Sequence, residues 1–277
     1  MKVTCIVDNL VAKGGLWGEH GLSMLVEAEG GRVLLDCGDS GTVLRHNLAA
    51  LRVDLESVDA AVLSHGHGDH VGGLEVLAPA LSRKPLVAHP EAFRERFGGP
   101  DRRSIGMDGG RRQVLEQAFD LRLSDGPVEV VPEVWTTGEI RQRPYPEGRG
   151  KSHVVRDGDG FIPDPYRDDL SLVVRVRDGM VLLVGCAHAG LLNIVAAVRE
   201  AYDTPLVAVI GGTHLAGATH RELRQVAETL KAWGSPRLYL NHCTGADSLF
   251  RLAYLMPDHV QPFGAGATVE FAETALA

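Results

Sequence analysis

The chain has 277 residues, 44% of them hydrophobic, and carries 28 basic against 36 acidic groups for a net charge of −8. That is enough apolar material for a sizeable core, in one large domain or two small ones. The moderate acidic balance argues against general nucleic-acid or anionic-membrane binding, and nowhere do 18 apolar residues run together as a membrane span would need.

Residues 1–9 form a short strand pattern that reaches the polar pair Asp8-Asn9 at once, too short for the apolar stretch of a signal peptide. Leu22 to Ala28 and Arg32 to Asp36 read as a strand pair joined at Gly30-Gly31. A helix ends at Asn47 to Arg52, Val58 to Leu63 is a short apolar strand, and a helix is expected from about Asp69 to Leu81. Pro85 to Ala88 is a further buried strand. From His89 to Asp168 the pattern loosens around Gly98-Gly99-Pro100 and Gly126-Pro127, with a strand pair near Val128 to Thr137 and a loop-like run from Arg141 to Arg167. Long irregular segments of this kind are often lids or binding loops. Asp178-Gly179 then joins the strands Leu170 to Arg177 and Met180 to Val184 in a hairpin. Helices at Leu191 to Tyr202, Thr219 to Trp233 and Ala246 to Leu255 alternate with strands at Leu206 to Ile210 and Arg237 to Asn241, before two short terminal strands. Hairpins mixed with strand–helix alternation in both halves suggest two sheets sandwiched between helices.

The four cysteines, Cys5, Cys37, Cys186 and Cys243, are spread without a CxxC pair, so a reduced cytoplasmic setting is expected. The chemistry concentrates at Ser64-His65-Gly66-His67-Gly68-Asp69-His70. In an extended loop, side chains two apart point the same way, so His65 and His67 can share one ion. A helix starting near Asp69 turns Asp69 and His70 toward a neighbouring position. Imidazole plus carboxylate suits zinc, iron or manganese. Three later segments each place a histidine after an apolar strand: Cys186-Ala187-His188, Thr213-His214 and His242-Cys243.

The segment Ser-His-Gly-His-Gly-Asp-His-Val-Gly-Gly, with Leu34-Leu35-Asp36-Cys37-Gly38 upstream, resembles the HxHxDH signature of the metallo-β-lactamase fold superfamily. The resemblance implies an αββα sandwich of two mixed β-sheets flanked by helices over residues 1–277, with insertions at about 90–127 and 138–168 near the active site. It implies one or two divalent transition metal ions, zinc first and manganese or iron as alternatives. His242 fits the superfamily's final histidine. Cys186 stands where Gly-Asp would be expected, with His188 two residues beyond; His188 is the favoured ligand, while Cys186 is either a thiolate ligand or a small buried core residue. Glu139 falls where the superfamily often carries a histidine, as a ligand, a substrate contact or a loop salt bridge. The order of Gly18 to Ser23, Thr137 to Ile140, Gly185 to Ile194, Gly211 to Leu215 and His242 to Gly245 is similar to the branch typified by archaeal 7,8-dihydropterin-6-yl-methyl-4-(β-D-ribofuranosyl)aminobenzene 5′-phosphate synthase.

The implied centre has His65, His67 and His188 on one ion and Asp69, His70 and His242 on the second, with a bridging water as nucleophile that Asp69 helps to position. His214 and His20 are further candidates, and Asp36 orients the histidine loop from behind. Arg94, Arg96, Arg102, Arg103, Arg111 and Arg112 form either a solvated face or an anion-recognition patch. A small, anionic substrate is the expected partner of a hydrolase, with a dihydropterin-type synthase or an iron-dependent oxidoreductase as alternatives and homo-oligomerisation left open. His46, His89, His153, His220 and His259 lack clustered partners and read as background.

Overall fold

The computed structural model describes residues 1–107, 110–150 and 152–273. The first elements are β1 (Lys2–Val7), β2 (Ser23–Ala28), β3 (Gly31–Leu35), α1 (Gly41–Ala50), β4 (Ala60–Val62), α2 (Gly68–Val71), α3 (Leu74–Ala80) and β5 (Pro85–Ala88). The middle of the chain holds β6 (Arg96–Gly98), β7 (Arg103–Ser104), α4 (Arg111–Ala118), β8 (Asp120–Leu123), β9 (Glu129–Val131), β10 (Val134–Thr136), β11 (Val154–Asp157) and β12 (Gly160–Pro163). There follow β13 (Ser171–Val176), β14 (Gly179–Val184), α5 (Leu191–Ala201), β15 (Leu206–Gly212) and α6 (His220–Ala232). The last are β16 (Arg237–Asn241), α7 (Ala246–Leu255), β17 (Val260–Pro262) and β18 (Thr268–Glu270). No helix of the described residues is long and apolar enough to cross a membrane.

Two 7-stranded mixed sheets form, in the orders β18-β1-β2-β3-β4-β5-β8 and β17-β16-β15-β14-β13-β10-β9. Their alternating side chains explain the layering. Val3, Cys5, Met24, Val26, Val33 and Leu35 face Leu172, Val174, Val181, Leu183, Ala208 and Ile210 in one core between the sheets. The intervening Leu25, Leu34 and Ala61 pack with Leu44 and Leu48 of α1 and Leu74 and Leu77 of α3. On the far side, Leu182, Val184, Val209, Leu238 and Leu240 pack with Ile194, Leu223, Leu230 and Leu252 of α5, α6 and α7. Strands whose residues are apolar on both faces are thereby buried on both faces, giving the αββα order.

Three sequence expectations are corrected. The helix expected over Asp69 to Leu81 is two helices, broken at Gly72-Gly73. A Cβ on Gly72 would stand 1.8 Å from the Asp39 carbonyl oxygen and one on Gly73 2.2 Å from that of Cys37, so the chain bends where backbones approach too closely for a side chain. The run Arg141 to Arg167 is not all loop: β11 and β12 form a hairpin turned at Gly158 (φ 54°) and join β6 and β7 in a 4-stranded sheet. Neither α4 nor β8 was expected, and β8 extends the first sheet beside β5.

Strands β3, β4 and β5 run parallel, as do β14, β15 and β16. Functional groups gather outside the carboxyl ends of parallel strands. Asp36 follows β3, His65 follows β4, Cys186 follows β14, His214 follows β15 and His242 follows β16.

Candidate metal centre

The turn conformations at these strand ends are unusual. Asp36 (φ 59°), Ala187 (φ 55°), His214 (φ 49°) and His242 (φ 49°) all adopt left-handed backbone. Such conformations cost free energy in non-glycine residues and collect at functional sites.

Four imidazoles are each oriented by a hydrogen bond behind the ring. His70 donates from Nδ1 to Asp36 Oδ2 at 2.7 Å. The Ser64 hydroxyl donates to the same oxygen at 2.6 Å and accepts from His65 Nδ1 at 2.9 Å. His188 donates from Nδ1 to the Gly148 carbonyl at 2.7 Å, and His242 donates from Nδ1 to Asn9 Oδ1 at 3.0 Å. With a proton fixed on Nδ1, Nε2 is the nitrogen left for a metal in each of these four rings, as a ready lone pair in His65, His188 and His242 and after loss of a second proton in His70. This is how ligating histidines are held in metal sites.

The remaining nitrogens converge. His65 Nε2 lies 3.1 Å from His67 Nδ1, and His70 Nε2 lies 3.2 Å from His242 Nε2. Two nitrogens each about 2.1 Å from one tetrahedral ion stand about 3.4 Å apart, so these spacings suit shared ligation. His65, His67 and His188 bring one ligand atom each within 4.8 Å of one another, as do His65, His70 and Cys186, and His20, Asp69 and His242. The Nε2 atom of His188 is buried without a hydrogen-bond partner. Buried, unpaired donors of this kind are costly in a finished fold, and an ion resolves the cost. The residues fit a cation.

The electrostatics agree. Burial holds His65, His67 and His188 well below the usual imidazole range. Burial also takes His242 down to about 4, against the pull of Asp69. His70 is the exception: burial opposes its charge, but Asp69 and Asp36 raise it to about 9. The Asp69 carboxyl, despite its own burial, is held far below the usual range by His70 and His242. In the ion-free protein a proton on His70 therefore stands in for positive charge, and a bound cation would release it.

Each sequence-derived candidate has a place. His65, His67, Asp69, His70, His188 and His242 meet at one cleft. Cys186 is there too, with Sγ 3.2 Å from His70 Nε2, rather than in the core. His214 packs 4.5 Å from His188 between ring centroids and lines the cleft, and His20 reaches Asp69 Oδ2 at 3.4 Å from the exposed side. Glu139 does not line the cleft; it pairs with Arg141 at 3.2 Å and Arg167 at 3.8 Å, the salt-bridge option.

His153 was read as background, and that is corrected. It lines the cleft, edge-on to His67 at 5.1 Å between centroids. The Tyr166 hydroxyl accepts from the Gly150 amide at 3.2 Å and shares a hydrogen bond with His153 Nδ1 at 2.7 Å, which orients this ring. Tyr166 itself stacks on His188 at 4.1 Å. Neither residue has a local sequence signature, because β11 reaches the site only by pairing with β6.

The arginine group divides. Arg96 is buried, 1% exposed, between Asp164 (2.9 Å) and Asp168 (2.6 Å), whose second oxygen accepts from the Gly66 amide of the histidine loop at 2.9 Å. Arg94 and Arg112 pair with Glu91 and Glu116, Arg102 covers the Phe161 ring, and Arg111 reaches the Val71 carbonyl. Arg103 lines the cleft. The cleft encloses about 430 Å³, within the range of small-molecule sites.

A sequence model of the metallo-beta-lactamase superfamily matches residues 16–232. An uncharacterized protein of Methanocaldococcus jannaschii is 30% identical over 91% of this chain and 94% of its own length. A 7,8-dihydropterin-6-methyl-4-(beta-D-ribofuranosyl)-aminobenzene-5′-phosphate synthase of the same organism is 27% identical over 84% of each chain. Among solved structures, Tm1679, described as a metal-dependent hydrolase of the beta-lactamase superfamily, superposes with a TM-score of 0.86 at 26% identity, covering 99% of this chain and all 100% of its own.

Proposed function

The chain belongs to the metallo-beta-lactamase superfamily, and from that premise we propose that it is a metal-dependent hydrolase of a small anionic substrate. The observation that carries this reading is the set of four imidazoles, His65, His70, His188 and His242, each protonated and anchored at Nδ1 so that Nε2 is left to bind. His65, His67 and His188 would hold one ion, and Asp69, His70 and His242 a second; zinc suits the donors best, with manganese and iron as alternatives. Bound divalent cations supply a water acidic enough to attack at neutral pH and offset negative charge on the substrate.

The chain's own groups do the rest. Asp69, kept ionised, positions the attacking water by accepting a hydrogen bond at Oδ2, and His20, 3.4 Å away and largely exposed, connects that oxygen to solvent. His153, held at Nδ1 by the Tyr166 hydroxyl, presents Nε2 to the substrate. Arg103 at the cleft binds the anionic group that the substrate carries. The free thiols of all four cysteines accord with a reducing, cytoplasmic setting.

A second reading has a specific observation behind it. The likeness to the synthase over 84% of both chains favours a transferase, in which a carbon or nitrogen of a second substrate attacks and diphosphate leaves. An iron-dependent oxidoreductase on the same ligands has no such support. The two leading readings separate when the metal-reconstituted protein is given phosphodiester, lactone and thioester probes in oxygen-18 water. Hydrolysis predicts heavy oxygen in the product and loss of turnover in His67→Ala; products free of heavy oxygen would favour transfer instead.

A further inference from the structure

Two of the four cysteines are ordinary core residues. Cys5 packs in the layer between the sheets and Cys37 packs among the residues under α1 and α3. Cys186 and Cys243 belong to neither cluster and line the cleft instead. They sit on the loops after β14 and β16, and the parallel register of β14, β15 and β16 brings those loops to the same edge of the sheet, one on either side of the loop after β15.

The sulfurs of Cys186 and Cys243 and a ring nitrogen of His242 all lie within 4.8 Å of one another. Cys186 Sγ also stands 3.2 Å from His70 Nε2. Cys243 Sγ accepts the backbone N–H of His214 at 3.2 Å, the kind of contact that stabilises negative sulfur. The space around them is kept open by a residue without a side chain. A Cβ on Gly212 would stand 2.8 Å from Cys243 Sγ and 3.3 Å from His242 Cδ2.

We propose that Cys186, His242 and Cys243 form a thiolate-bearing ligand set for a thiophilic divalent ion such as zinc or cadmium. Cys243 is the new member, since nothing in the histidine pattern announces it. Each sulfur–metal bond forms as a thiol releases its proton to solvent, so no oxidant takes part. Soft sulfur donors favour zinc and cadmium over manganese and magnesium, so the set also fixes which metals the centre prefers. The inference rests on the reading of the histidine cluster as a metal centre and adds sulfur to it.

X-ray absorption on the zinc-loaded full chain tests this directly, because zinc–sulfur bonds of about 2.3 Å separate from zinc–nitrogen bonds of about 2.0–2.1 Å. Two sulfurs per occupied thiolate site are expected in the unaltered protein, falling to one in Cys243→Ser and to none in Cys186→Ser/Cys243→Ser. Cobalt loading should give a sulfur-to-cobalt charge-transfer band that weakens in the same order. A shell of nitrogen and oxygen alone, or a sulfur count indifferent to Cys243→Ser, overturns the proposal while leaving the histidine centre standing. A chain that takes up no zinc overturns the centre itself. The count in the unaltered protein decides the matter even where a variant fails to fold.

Discussion

His70 owes its direction to Asp36, which also holds the Ser64 amide at 2.7 Å and the Ser64 hydroxyl at 2.6 Å. One carboxylate thus fixes two rings, His70 directly and His65 through Ser64. Asp36→Asn keeps the shape but weakens both anchors, and loss of such supporting groups typically costs about 10–100-fold in metal affinity. Chelator competition should show that drop for zinc; an unchanged affinity would mean that the rings are held by packing alone.

Asp8 gives a residue-scale dependence on pH. Its buried carboxyl accepts the His242 amide at 2.8 Å. Burial pushes its pKa up to about 6, outweighing the backbone amides of Leu10, His242 and Asn9. An unfolded chain titrates near 4, so the folded state holds this proton more tightly. Stability should therefore fall as pH rises from about 4 to about 6, by roughly 3 kcal/mol, and stay lower above that window. Asp8→Asn keeps an oxygen for the His242 amide and should flatten this stretch of the profile. Denaturant unfolding at a series of pH values measures it, and a wild-type minus variant difference that is constant across the window would contradict the assignment.

Among the elements, the tightest constraint on the histidine loop is the break between α2 and α3. Gly72→Ala forces a methyl against a backbone oxygen that cannot rotate away. Overpacking of this kind costs about 1–3 kcal/mol or more, and urea unfolding should report it together with reduced metal content. The 4-stranded sheet is tied to the same loop by Arg96, which joins Asp164 and Asp168, and by the Asp168 bond to Gly66. Arg96→Met strands two buried carboxylates, and breaking such a set costs about 3–5 kcal/mol. A shift below about 1 kcal/mol would show that the carboxylates find protons or water instead.

Legibility in the sequence follows the distance over which residues must meet. His65 to His70 are contiguous, so their spacing alone spoke for a metal. His188 and His242 were readable as strand-end histidines once that segment was known. Cys186 was ambiguous, since a lone thiol after a strand reads equally as core; its 3.2 Å approach to His70 Nε2, which supports the ligand reading, is visible only in the fold. His153, Tyr166 and the burial of Arg96 were out of reach, because they depend on β6 and β11 pairing across more than fifty residues of sequence. The helix expected over Asp69 to Leu81 failed for a similar reason. Its apolar pattern is continuous, and the break comes from the approach of Cys37 and Asp39 from another part of the chain.

At the scale of the molecule, two sheets with parallel strands at their centres present five loops at one edge, and the chemistry is distributed over those loops. The superfamily match and the superposition on Tm1679 place this chain within a metal-dependent fold. The centre itself is the claim on which substrate, reaction and thiolate ligation all rest. Elemental mass spectrometry of the purified full chain, beside a folded His65→Ala/His67→Ala variant, tests it most directly. At least one transition metal ion per chain is expected in the unaltered protein and a clear loss in the variant; equal metal content in the two would contradict the assignment of these histidines as ligands.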